Sequence, residues 1–135
     1  DTLTKLGARQ DVARIRTEMS RSLIALGNDA DAWWILREAL QIAIETRGTV
    51  IVLEALIGFA SLQIGQGDRE HALELLLMVL NHPANLLETK NRAARLRSEL
   101  EAQLTWQQAE AAQARAQATT FEAAVAKVLK QTELT

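Results

Sequence analysis

Gly58–Leu80, GFASLQIGQGDREHALELLLMVL, contains the end of one helix, a tight turn at Gly67-Asp68 and a second helix with an apolar face. The same design stands upstream as MSRSLIALGNDADAWWILREAL, Met19–Leu40. At a constant offset of 40, Gly27 falls on Gly67, Ala32 on Ala72, Leu36 on Leu76 and Leu40 on Leu80. Most residues between these anchors differ, so the kept positions read as packing positions. Helix-turn-helix units at a fixed interval are the mark of an α-solenoid.

The spacing Ala32-x-x-x-Leu36 and Ala72-x-x-x-Leu76 after a glycine turn resembles the second half of a tetratricopeptide repeat. In the first half, Phe59-Ala60 and Met19-Ser20 stand where that motif has Leu-Gly. Leu56 takes its Trp slot, Gln63 or Leu23 its Tyr slot, and its proline is displaced to Pro83. The interval of 40 is longer than the family's usual length of about 34. The stretch from ALIGFASLQIGQGD to ETKNRAARL further resembles the C-terminal helical repeats of bacterial STAND-type ATPases and multidomain transcriptional regulators. In those proteins the repeats sense a ligand or partner, and nucleotide chemistry belongs to another domain. The resemblance implies an all-α, right-handed solenoid of antiparallel hairpins over residues 1–104, its first repeat truncated. Residues 105–135 are then a capping helical pair. A frayed extension is the alternative for that tail.

Composition agrees with a single helical unit. The chain has 135 residues, one proline, six glycines and a charge of −2, which gives no push toward nucleic acid or anionic lipid. Without cysteine there is neither a disulfide nor a thiolate metal site, as a reducing cytoplasm allows. No apolar run reaches the roughly 18 residues of a membrane span. Asp1 is not an initiator methionine, so the chain reads as a piece of a larger protein.

Along the chain, residues 1–6 are expected to end a helix at Gly7, and Gly48 to end another in the same way. Val12, Ile15, Met19, Leu23 and Leu26 predict the buried stripe of a helix over 9–26. Ala32, Leu36, Ala39, Leu40 and Ala43 predict the same for 30–46. Residues 50–66 are apolar nearly all round, as in a helix with neighbours on every side. Asp68 is expected to cap 69–81. A helix over 85–104 should bury Leu87, Ala94, Leu96 and Leu100. Thr105 with Gln108 forms a capping-box pattern for 106–118, and Thr119 or Thr120 with Glu122 another for 121–130.

Catalysis finds no residues to carry it. The two histidines, His71 and His82, lack metal-ligand spacing, and GQGD is followed by no Lys-Ser/Thr. Neither a cofactor nor a metal is expected. Two basic groups remain: Arg9, Arg14, Arg16 and Arg21, and Lys90, Arg92, Arg95 and Arg97. Both fall on first helices of repeats, which in tetratricopeptide solenoids line the concave side. By that resemblance the groove positions are Arg14, Thr17, Arg21, Ile24 and Ala25, then Glu54, Ile57, Ser61, Ile64 and Gly65. A basic flank beside an apolar middle suits an acidic, partly hydrophobic peptide. The alternative is a solvated face on which Asp11, Glu18, Glu88 and Glu99 pair with these arginines. The lysines and asparagines that clamp a terminal carboxylate in some family members have no match. Nucleic acid is disfavoured because no stacking aromatics accompany the arginines.

Trp33 and Trp34 point about 100° apart on a helix. Trp33, aligned with Leu73, is expected in the core. Trp34, aligned with Glu74, is expected to be exposed, as a contact for another chain, another domain or the tail, and homo-oligomerisation through it is the second functional expectation. Trp106 is expected to staple onto the preceding helices.

Overall fold

The computed structural model describes residues 2–131; Asp1 and the last four residues of the expected capping segment lie outside the described residues. Seven helices are described: α1 (Thr2–Ala25), α2 (Asp29–Glu45), α3 (Thr49–Gly65), α4 (Arg69–Leu80), α5 (Leu87–Glu101), α6 (Trp106–Ala118) and α7 (Phe121–Lys130). No strand occurs among the described residues. The chain is all-α.

Three turns end helices in one way. After α1, the Gly27 amide donates to the Ile24 carbonyl and the Asn28 amide to Leu23, 3.0 and 2.8 Å. After α2, Arg47 and Gly48 donate to Ile44 and Ala43; after α3, Gly67 and Asp68 donate to Ile64 and Gln63. This pattern satisfies the last carbonyls of a helix through one left-handed residue. That residue is Gly27 at φ 80°, Arg47 at φ 58° and Gly67 at φ 86°. Gly48 therefore does not take the left-handed position; it is the residue before α3. Gly7 ends nothing either, because α1 runs through it without a break.

The hairpins pack as two layers. α1 and α2 run antiparallel, shown by Arg9 paired with Glu45, Arg16 with Glu38, and Gln10 donating to the Thr46 carbonyl. α1 packs on α3 and α3 on α5, making one layer, while α2, α4 and α6 lie on the other side with α6 against α4. α3 sits at the centre and buries ten residues, which explains its apolar circumference. One continuous core runs from Ala13 to Val128. α6 opens with a reciprocal capping box, Thr105 and Gln108 each accepting the other's backbone amide. Arg115 anchors it to Glu74 of α4 at 3.0 Å. α7 turns back over α2 and α4. Arg37 of α2 donates to the carbonyls of Leu129 and Gln131 at 2.7 and 3.3 Å, capping the end of α7. At its other end Phe121 stacks against His82, ring centroids 4.5 Å apart.

Several expected core positions are not buried. The α1 stripe faces outward: Val12, Ile15, Met19 and Leu26 are exposed, while Ala13, Thr17 and Ser20 are buried. Thr17 and Ser20 can be buried because their hydroxyls donate to the Ala13 and Thr17 carbonyls of their own helix. In α5, Leu87 and Ala94 are exposed; Thr89, Ala93 and Leu100 are buried. Trp106 is 75% exposed, so the capping box rather than an indole staple fixes the start of α6. α2 buries Ala32, Trp33, Leu36, Ala39, Leu40 and Ala43 as its periodicity predicts.

Candidate functional site

α1, α3 and α5 enclose a cleft of roughly 280 Å³. α1 contributes Thr17, Ser20, Arg21, Ile24 and Ala25; α3 contributes Glu54, Ile57, Gly58 and Ser61; α5 contributes Arg92, Arg95, Leu96 and Glu99. The three helices position these side chains at matching levels. Thr17 and Arg21 stand 40 residues from Ile57 and Ser61, while Arg92, Arg95, Leu96 and Glu99 stand 38 residues from Glu54, Ile57, Gly58 and Ser61. The core obeys the shorter interval too: Ile51, Ala55 and Leu62 become Thr89, Ala93 and Leu100, all buried.

Seven of the ten groove positions expected from the sequence meet in this cleft: Thr17, Arg21, Ile24, Ala25, Glu54, Ile57 and Ser61. Three do not. Arg14 lies outside and pairs with Asp11 one turn away, at 2.6 Å. Ile64 packs against the core instead. Gly65 is outside the cleft too. On the α5 wall the sequence marks Arg92 and Arg95 as lying on a concave-side helix but gives no register position, because the change of interval from 40 to 38 displaces α5 from the first two copies.

The cleft's charges are unequally used. Glu54 accepts from Arg92 Nη1 at 3.1 Å and from the Thr89 hydroxyl at 3.3 Å, which ties α3 to α5. Arg92 also reaches Glu88. Arg21 and Arg95, from opposite walls, have no ion-pair partner among the described residues, and neither has Glu99. Ile24, Ile57 and Leu96 supply apolar surface between them. Two free guanidinium groups separated by an apolar floor can take carboxylates at two points along a chain whose side chains rest on the isoleucines.

Elsewhere the basic groups are mostly paired. Arg9 and Arg16 hold α2, and Arg97 pairs with Glu101 at 2.6 Å. His71 sits at the surface with Nδ1 2.8 Å from Asp68. Among the described residues no three His, Asp or Glu side chains converge as a metal site would require. Trp34 is 54% exposed and meets the buried Trp33 edge-on, with centroids 4.9 Å apart. No helix is long and apolar enough to cross a membrane among the described residues. No family model, no curated protein and no solved structure matches the chain.

Proposed function

We propose that this chain is a non-catalytic binding module, a right-handed solenoid of tetratricopeptide-like hairpins that takes an acidic, partly hydrophobic peptide segment along the α1–α3–α5 cleft. The observation that carries the reading is the pair Arg21 and Arg95, unpartnered on opposite walls of a cleft floored by Ile57. An arginine kept only for solubility has no need to stand at a cleft between three helices. The cleft is open and lies just under the range of about 300–1,000 Å³ usual for small-molecule pockets, which favours side chains of a longer partner over an enclosed metabolite. Such a module fits the sensor or scaffold part of a larger cytoplasmic regulatory protein.

The test is a displayed peptide library panned against the chain, followed by affinities of the selected peptides for single variants. Arg21→Glu and Arg95→Glu are each expected to weaken binding by tenfold or more, about 1.4 kcal/mol. Arg14→Glu, outside the cleft, serves as the control and should leave affinity unchanged. Selected peptides without carboxylates, or equal affinity in all three variants, would rule the cleft out.

A further inference from the structure

The exposed apolar stripe of α1 has counterparts elsewhere in the chain. At the 40-residue interval Val12, Ile15 and Met19 correspond to Val52, Ala55 and Phe59 of α3, which are 6%, 0% and 3% exposed. At the 38-residue interval only the middle position stays apolar and buried in α5, as Ala93; its neighbours in the row are Lys90, exposed, and Arg97, half-buried, so the buried row is the property of α3. α3 has one feature that α1 lacks among the described residues: a helix packed ahead of it, α2. In α1 the same row is 41%, 56% and 49% exposed. Trp34 borders it, since Glu38, one turn further along α2, reaches Arg16 on the neighbouring edge of α1. Single exposed apolar residues are ordinary, but a contiguous row at helical spacing beside a half-exposed tryptophan marks an interaction surface.

We infer that this row is the seat of an amphipathic helix of the α2 kind, an Ala/Leu-faced helix lying against α1 as α2 lies against α3. What α2 buries gives the chemistry of the occupant: alanines and leucines alternating at Ala32, Leu36, Ala39, Leu40 and Ala43, with Trp33 at their edge. The inference shares the repeat interval with the solenoid reading but not the cleft, so each fails separately.

The probe is a peptide of the chain's own Asp29–Thr46 sequence, stapled on its polar face so that it is helical before binding, titrated onto the full chain by fluorescence anisotropy. Saturable binding is expected, weakened at least tenfold in Ile15→Asp/Met19→Asp and unchanged in Arg14→Glu, which lies outside the cleft. Ile15→Ser serves as the milder variant should the double change unfold the chain, and it should show a smaller loss in the same direction. Absence of saturable binding, or binding indifferent to Ile15 and Met19, overturns the inference. Sedimentation equilibrium is run alongside: a dimer that dissociates in Ile15→Asp/Met19→Asp would give the row to a second copy and equally overturn the assignment to an α2-type helix.

Discussion

Gly58 and Gly7 both lie inside helices, yet they should respond in opposite ways to alanine. A Cβ on Gly58 would stand 2.7 and 3.0 Å from the two Cδ atoms of Leu36, and Leu36 is fully buried with nowhere to swing. Crowding of this kind costs about 1–3 kcal/mol, against about 1 kcal/mol gained from helix propensity. Gly58→Ala is therefore expected to destabilise by about 1 kcal/mol. Gly7 has nothing within 4 Å of such a Cβ, so Gly7→Ala should stabilise by about 0.5–1 kcal/mol. Urea midpoints at constant slope read both signs, and a stabilised Gly58→Ala would mean that α2 and α3 are not in close contact there. Arg47 poses the converse case. It holds at φ 58° the position that Gly27 and Gly67 hold at the sister turns. Left-handed backbone costs a side-chain-bearing residue about 1–2 kcal/mol, part of which glycine loses again through its freer unfolded chain. Arg47→Gly should then stabilise by about 0.5–1 kcal/mol, and Gly67→Ala should destabilise by a similar amount, both measured by thermal unfolding.

At the scale of helices, α7 is held at its end by one side chain from far up the chain. Arg37 donates to the carbonyl of Leu129 in the last turn of α7 and to that of Gln131 just past it, and lies 6.0 Å from the Trp33 ring centre. Removing it in Arg37→Ala leaves those carbonyls without their charged donor, a loss of about 1.5–3 kcal/mol. Amide exchange should speed up across α7 and stay unchanged in α3; uniform acceleration would show Arg37 to be a general packing residue instead. Nothing in the sequence announces this contact, since Arg37 and Gln131 are separated by 94 residues. Helix existence was far more legible. α6 and α7 follow the bounds their capping threonines predict, and α2 buries the row its periodicity marks. Periodicity could not say which row has a neighbour. In α1 the larger side chains form the outward row, while Ala13, Thr17 and Ser20 allow close approach inside. The cleft lining on α1 and α3 was largely legible through the 40-residue interval, although the same interval also marked Arg14, Ile64 and Gly65, which lie outside the cleft. On α5 only the arginines stood out, without their register, because the chain between α4 and α5 resets the interval from 40 to 38.

Across the whole molecule, α7 is what joins hairpins that otherwise touch only their neighbours. α2 packs on α1 and α3, and α4 on α3, α5 and α6. α7 bridges these elements on the outer side. Val125 and Leu129 share an apolar furrow of about 770 Å³ with Ala43, Ile44 and Val52, and Val128 faces Leu75. Val125 and Val128 are buried and Phe121 and Leu129 pack on the core. At about 1.5–3 kcal/mol for each fully buried side chain of this size, removing the helix should cost on the order of 3–5 kcal/mol. A chain ending at Thr119 is thus expected to remain helical but to lose cooperativity, because an array of nearest-neighbour contacts unfolds piecewise when its long bridge is cut. Trp33 and Trp34 report on α2 alone, whereas helical circular dichroism reports on every helix; Trp106→Phe removes the one remaining indole and leaves fluorescence to the first hairpin. In the full chain the two signals should change at one urea concentration. In the shortened chain the fluorescence transition should come first, since α2 loses both the furrow contacts and the partner of Arg37. Coincident transitions in the shortened chain would show that the α1–α5 packing carries the cooperativity by itself, with α7 an accessory to it.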